Sequence, residues 1–333
     1  MAEEPQPAGD RRQNQLWAVL KWILFLTVMV FISRRAYEVW KSAPAESVHI
    51  NAFWLIPAAA IYFIGWLPSV WFWRALQDAM HSPIRRWDAL RAYYISQLGK
   101  YVPGKALVLL IRGSMVKQAG GNPLLAGTLA AFETLVFMAA GAALGVAFSA
   151  MVFREPRWLQ LPSQLAWIHE RPAVVMTIVT LATFATTPFS AWFFTHLGRK
   201  ILRSDRTTVE SEPRITAKLV SIGVIATALG WSCHALSFGC VMQSLSDRPF
   251  DLGEFPLWMA TSTVSMVGGF AVPLAPGGLG VREGIMIEIL KDHPHVGPAL
   301  AVVVAGLLRM VWFATELIAA GILFVARRPK ANL

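Results

Sequence analysis

Apolar residues in this chain run in long blocks, and the polar residues collect between them. The block LWAVLKWILFLTVMVFIS (16–33) carries one charged side chain, and PAVVMTIVTLATFATTPFSAWFF (172–194) carries none. About 20 consecutive apolar residues cross a bilayer core as a helix. The pattern predicts six full transmembrane helices, over roughly 16–33, 52–73, 124–150, 172–196, 219–243 and 297–325. Two further apolar segments, 92–116 and 255–290, are interrupted by Pro103-Gly104 and Pro276-Gly277. Proline removes a backbone donor and glycine permits positive φ, so a helix should stop at each pair and the segment should turn back as a re-entrant, broken-helix hairpin.

The order is then span, span, hairpin, span, repeated once from the opposite side, which is the pattern of an inverted-topology repeat. The predicted fold is an all-α polytopic membrane protein with six full helices and two re-entrant hairpins, eight membrane segments in all. One domain is expected over 16–326, with halves of about 16–150 and 172–326. A polar tail (1–15) precedes it and a basic tail (327–333) follows it.

Composition agrees with that pattern. Of 333 residues, 55% are hydrophobic and 15% charged, too little charge for an ordinary soluble domain. The net charge of +10 resides largely in the loops, so topology explains it and no nucleic-acid partner is expected. With the N-terminus inside, the inner loops and tails hold fifteen Lys and Arg and the outer loops eight. This bias predicts a multi-pass protein of the inner (cell) membrane with both termini cytoplasmic. The count balances only if each hairpin returns to its own side, the first dipping in from the cytoplasm and the second from outside. The first run follows a polar stretch without a small-residue cleavage site, so no cleavable signal peptide is expected. Trp17, Trp40, Trp54, Trp73, Trp192 and Trp258, near run ends, are expected in interfacial belts. Cys233 and Cys240 are expected as packing residues on one helix face.

Candidate chemistry begins with Gly99-Lys-Tyr-Val-Pro-Gly-Lys105, which falls one residue short of a phosphate-binding P-loop. Ala106 stands where magnesium binding requires Ser or Thr, and a helix-like stretch precedes the glycine in place of a strand. A nucleotide site is excluded, and no cofactor is expected. Non-helical backbone at membrane depth is tolerated where it is buried or lines a wet cavity, and a half-helix start favours anions. Two readings are open for Lys100 and Lys105: they snorkel to the headgroup region, or they join Arg112 as fixed positive charge at the elbow. Arg112 lies too far past the elbow to snorkel easily. The second hairpin presents Gly277, Gly278 and Gly280, then Arg282-Glu283, which is either a tight turn with a local ion pair or the other half of a shared site. The two elbows together favour one midplane site. Lys100, Lys105, Arg112 and Arg282 would bind a lipid headgroup there, with Pro103, Gly104, Pro276, Gly277, Gly278 and Gly280 shaping the backbone.

Glu133, Arg309 and Glu316 are ionisable at membrane depth, as is Glu283 beside the second elbow. Such groups mark pathways or relays, or they pair structurally, for example Arg309 with Glu133. His234, mid-span beside Trp231, is expected to hydrogen-bond across helices. No catalytic or metal set emerges: His293-Pro-His295 has no Cys or acidic cluster beside it, and neither G-x-S-x-G nor H-E-x-x-H occurs.

LGKYVPGK, followed by Arg112 and mid-span Glu133, resembles the membrane part of bacterial lysylphosphatidylglycerol synthases and their stand-alone flippase-like relatives. PLAPGGLGVREG is similar to that family's second signature, and Arg309 matches a basic residue often found in its last span. The resemblance covers about 16–326. It departs after Glu133, where members often carry Glu-Arg with an Asp shortly after and this chain has Thr134 and Phe137. That puts in question any proton or ion relay carried by the cluster. The sequence ends at Leu333 with no stretch for the aminoacyl-transferase domain, so the expectation is a flippase-like membrane unit without the synthase.

Two classes of function follow from these readings. One is a transporter that moves an anionic or zwitterionic phospholipid, or a lipid-linked glycan, between leaflets. The other is a membrane-embedded transferase acting on a lipid headgroup, with Glu133, Glu283 or His234 as base. A third reading is a non-catalytic partner of a separate lipid-modifying enzyme. Membrane lipids with an anionic headgroup are the expected partners in each case.

Overall fold

The computed structural model describes residues 30, 34, 37, 49–101, 106–152, 171–204, 212–272 and 275–326. The predicted first span, 16–33, Trp17 and Trp40, and the elbow residues Pro103, Gly104 and Lys105 lie outside the described residues, apart from position 30. Every regular element among the described residues is helical. We number the α-helices α1 (Leu55–Gly65), α2 (Leu67–Ala79), α3 (Arg86–Gln97), α4 (Ala106–Gln118), α5 (Pro123–Val152), α6 (Pro172–Ala185), α7 (Thr187–Ser204), α8 (Ala217–Gln243), α9 (Phe255–Ala271), α10 (Val281–Leu290) and α11 (Gly297–Val325).

Five rods among the described residues are long and apolar enough to cross a membrane: Ala52–Ala79, Pro123–Val152, Pro172–Leu202, Ala217–Gln243 and Gly297–Val325. They coincide with five of the six spans read from the sequence and make this a multi-pass membrane protein. Two of the rods contain a proline break. Pro68 cannot bond back within the α1–α2 rod, and the helix is interrupted at Trp66. Pro188 likewise leaves the carbonyl of Phe184 without its helical donor, and the Thr187 hydroxyl donates to that oxygen instead at 2.8 Å. Such local repair is what allows proline inside a spanning helix.

The two interrupted segments form helix pairs. Helices α3 and α4 pack on each other across a 3-10 turn, Leu98–Tyr101, and α9 and α10 pack across the turn Pro276–Gly278. The first pair begins at Arg86, six residues before the apolar segment, because Arg86-Trp87-Asp88 form a polar first turn with Asp88 near the helix N-terminus. Helix α5 lies against α4 and α9, and α11 lies against α3 and α10, so the two long helices flank both pairs.

Small residues and a few polar atoms fix these contacts, as they must where lipid removes the hydrophobic incentive for helices to associate. A Cβ on Gly230 of α8 would lie 2.7 Å from the carbonyl oxygen of Gly65, so only glycine permits that crossing. Ser237 donates to the Ala58 carbonyl at 2.7 Å, and Trp231 Nε1 to the Phe137 carbonyl at 2.9 Å. Arg91 of α3 donates to the Leu323 carbonyl at 2.7 Å, satisfying an orphan acceptor in the last turn of α11. The outer surface is apolar, with Ile56, Leu110, Leu135, Leu181, Phe189 and Phe324 all more than half exposed.

Two sequence expectations are corrected here. Trp73 and Trp258 are buried in the core, not placed in an interfacial belt: Trp73 donates to the Ala126 carbonyl at 3.3 Å, and Trp258 packs against Gly239 and Phe250. Only the large size of tryptophan was legible in their position near run ends, and size serves a core equally well. Trp192, by contrast, is exposed.

Candidate functional site

The turns of the two helix pairs meet. A Cβ added to Gly277 would come 3.1 Å from the Tyr101 ring, and the Gly277 carbonyl accepts from Arg309 Nη1 at 3.1 Å. Gly277 and Gly278 have φ of 57° and 69°, and Gly280 has φ of 83°. These left-handed values are open to glycine at little cost and strained for side chains with a Cβ. Pro276-Gly-Gly-Leu-Gly is therefore what turns the chain sharply enough to bring the start of α10 to the other turn.

Three groups of charged side chains surround this meeting point. In the first, Arg112 of α4 and Glu133 of α5 are both 1% exposed, with Arg112 Nη1 3.1 Å from Glu133 Oε2. Arg112 Nε also donates to Ser96 Oγ at 2.9 Å, and the Tyr93 hydroxyl donates to Glu133 Oε1 at 2.9 Å. The guanidinium lies 3.8 Å from the Tyr93 ring centre. The two groups hold each other in a small network: the carboxylate accepts from an arginine and a phenol, and the arginine donates to a carboxylate and a hydroxyl.

In the second group, Glu316 of α11 accepts from Lys100, from the Tyr62 hydroxyl, and from the Tyr101 hydroxyl at 2.8 Å. In the third, Glu283 accepts from the Gly280 amide at 2.6 Å and lies 3.7 Å from Arg309 Nε. Two turns apart on one helix, Arg309 and Glu316 thus hold different partners, the second turn and the first.

Arg282 differs from the other cations of the site in forming no ion pair with a carboxylate among the described residues, and it is 6% exposed. Its Nη2, like that of Arg309, has no hydrogen-bond partner among the described residues. Its guanidinium lies 4.2 Å from the Trp312 ring centre. Trp312 is itself fixed from behind, stacked on Tyr62 at 4.4 Å and donating to Ser237 Oγ at 2.9 Å. The aromatic face orients the guanidinium without neutralising it.

A cavity of about 440 Å³ lies between α4, α5, α9 and the second turn, with Lys100, Arg112, Glu133, Gly277, Gly278 and Arg282 among its lining residues. The rest of the wall is mostly apolar, including Trp66, Leu109, Phe137, Met138 and Phe270. Ala106 and Leu135 belong to the wall and are also exposed on the outer surface, so the cavity reaches the outer surface of the helix bundle.

The expected residues are placed as follows. Lys100, Arg112, Glu133, Gly277, Gly278 and Arg282 line one cavity, and Glu283, Arg309 and Glu316 stand behind it; Pro276 and Gly280 belong to the second turn and its exit into α10. Lys100 does not snorkel, because Glu316 holds it. Arg309 does not pair with Glu133: the carboxylate is filled by Arg112, and Arg309 turns to Glu283 and Gly277. Glu283 likewise makes its ion contact with Arg309, not with adjacent Arg282. His234 makes no cross-helix hydrogen bond among the described residues: both ring nitrogens lack partners there, and Tyr62, Trp66, Phe137, Trp231 and Trp312 enclose the ring.

The family profile described as lysylphosphatidylglycerol synthase TM region matches residues 16–320. The chain belongs to that family. No curated protein matches it. Membership and the five spanning helices together make it a lipid-related, multi-pass membrane protein. Sequence reasoning missed the phenols and the indole in this family member's site. Only five tyrosines occur in the chain, and three of them, Tyr62, Tyr93 and Tyr101, hold the buried carboxylates. A scarce phenol inside an apolar run was the available signal, because a buried hydroxyl needs a partner.

Proposed function

We propose that this protein translocates a phospholipid between leaflets, binding the headgroup in the cavity while the acyl tails stay in the bilayer. The observation that carries this reading is Arg282: a buried guanidinium with a free donor edge, in the wall of a cavity that also reaches the lipid-facing surface. Arginine presents a planar fork that matches phosphate oxygens. A cation kept at membrane depth without a carboxylate partner among the described residues is explained most directly by a ligand that supplies the counter-charge.

In this reading the two helix pairs are re-entrant hairpins from opposite sides. The molecule is one domain over 16–326, with eight membrane segments in an inverted repeat. It resides in the inner membrane with both termini cytoplasmic. Pairing of α3 with α4 and of α9 with α10, and the contact between their turns, support that arrangement. Lys100 and Arg112 set the positive potential of the wall, and Arg282 makes the direct headgroup contact. No nucleotide motif is present, so movement is downhill or ion-coupled. The headgroup-transferase reading is weaker, since Glu133 and Glu316 are each committed to a cation and phenols, and His234 is walled off by aromatic rings.

The test is leaflet exchange of a headgroup-labelled phospholipid in proteoliposomes, read by quenching of the outer-leaflet label. Exchange well above protein-free vesicles is expected. A rate equal to that of protein-free vesicles, with correctly folded protein present, overturns the proposal.

A further inference from the structure

Helix α5 turns one long face toward the two helix pairs. Gly127, Ala131, Thr134, Met138, Gly145 and Phe148 recur at spacings of three, four and seven residues, so they share one side of the helix. The middle of that face, Ala131, Thr134 and Met138, lines the cavity. On either side of the cavity the same face is closed by a neighbouring helix.

Toward the Pro123 end the neighbour is α4. A Cβ on Gly127 would lie 3.5 Å from the Leu109 carbonyl oxygen and 4.0 Å from Leu109 Cβ. One turn farther, a Cβ on Gly113 would lie 2.6 Å from the Pro123 carbonyl oxygen. Toward the Val152 end the neighbour is α9. A Cβ on Gly145 would lie 3.2 Å from Thr263 Oγ1 and 3.6 Å from Thr263 Cβ. Beyond it, the rings of Phe148 and Phe255 meet edge to face at 6.0 Å.

The two seams lie at opposite ends of a helix long enough to cross the membrane, so they stand between the cavity and opposite leaflets. Both are close approaches made at glycine. The Thr263 hydroxyl is bonded within its own helix, to the Met259 carbonyl at 2.6 Å, so parting the second seam leaves it satisfied. The Arg112–Glu133 pair joins α4 to α5 beside the first seam, which makes that seam the more firmly held. Acyl tails have their own way out past Ala106 and Leu135, so only the headgroup has to cross a seam.

From this we infer that this face of α5 is the track along which a headgroup passes between leaflets, and that its seams with α4 and α9 are the two gates. The inference rests on the translocation reading and names the route of the movement.

The experiment uses the full chain in proteoliposomes, with Cys233→Ser and Cys240→Ala as background. Separations of 4.0 and 3.6 Å between Cβ positions suit a disulfide. Leu109→Cys with Gly127→Cys therefore locks the first seam, and Gly145→Cys with Thr263→Cys locks the second. The probe is phosphatidylglycerol labelled on one acyl chain, read by quenching of the outer leaflet. Oxidation of either pair should lower exchange to the rate of protein-free vesicles, and reductant should restore it. Single-cysteine variants should not respond to oxidant. Phosphatidylglycerol binding to each oxidised pair, read by native mass spectrometry in detergent, should match that of the reduced form, because the cavity itself is unchanged. Loss of binding along with exchange would mean that the disulfide deforms the cavity, and would overturn the gates. A pair that does not oxidise in folded protein would show that the helices do not meet there, with the same consequence for its seam. Exchange that survives both disulfides would overturn the gates and leave translocation standing. Wild-type exchange at the protein-free rate would overturn translocation itself.

Discussion

Arg112 and Arg282 look alike in the sequence, each following a Pro-Gly elbow, but they differ in what surrounds them. Arg112 faces Glu133 on the next span and is neutralised by it, whereas Arg282 faces the indole of Trp312. Their replacements should part accordingly. Arg112→Ala strands a buried carboxylate, and breaking such a pair costs about 3–5 kcal/mol. The melting temperature in detergent should fall sharply, and Arg112→Met combined with Glu133→Leu should recover most of the loss. An unchanged melting temperature for Arg112→Ala would contradict the paired geometry. Arg282→Lys keeps the charge but loses the fork. It should retain stability yet slow leaflet exchange, and Arg282→Ala should slow it further. If both variants exchange lipid at the wild-type rate, at equal protein levels, Arg282 is not the anchor. Replacing Lys100 by Met should lower the melting temperature, because Glu316 would lose its cation.

At the scale of elements, the two helix pairs were legible from Pro-Gly pairs inside apolar segments, since proline and glycine act on backbone geometry that needs no tertiary context. The exact partners were not. Whether Glu133 meets Arg112 or Arg309 depends on which helix lies beside α5, and one apolar helix face resembles another in sequence. The second turn gives a direct test. Gly277→Val places a branched side chain at φ of 57°, with its Cβ 3.0 Å from Arg309 Nη2 and 3.1 Å from the Tyr101 ring. Gly278→Val meets the Gly269 backbone at a similar distance. Both variants should insert into the membrane and lose leaflet exchange, as read by protease-resistant membrane yield and by the vesicle assay. Wild-type exchange from either would mean that the close approach of the two turns is dispensable.

For the whole molecule, length and hydropathy of the runs predicted five spanning helices that the structure contains, with boundaries moved by a few residues at most ends. The site was only half legible. Its charges stood out against apolar sequence, but its neutral holders, Tyr62, Tyr93, Tyr101, Ser96 and Trp312, were less plain: the scarcity of tyrosine was a signal, yet which charge each hydroxyl or indole meets depends on how the helices pack. The proposed inverted arrangement makes a prediction of its own. Single cysteines near Asp78 should be labelled only from the cytoplasm, and those near Asp251 only from outside. Residues 90 and 120, at the two ends of the first helix pair, should both be reached from the cytoplasm. Labelling of those two from opposite faces would make the pair a full crossing and end the repeat argument. The central claim, that the cavity holds a headgroup while the tails remain in lipid, is tested most directly by an experimental structure in nanodiscs containing phosphatidylglycerol. The account predicts a phosphate within hydrogen-bond distance of the free Nη2 of Arg282, with acyl chains leaving past Ala106 and Leu135 into the bilayer. A well-resolved lipid elsewhere, with the cavity sealed from the bilayer and Arg282 paired to a protein carboxylate, would contradict it.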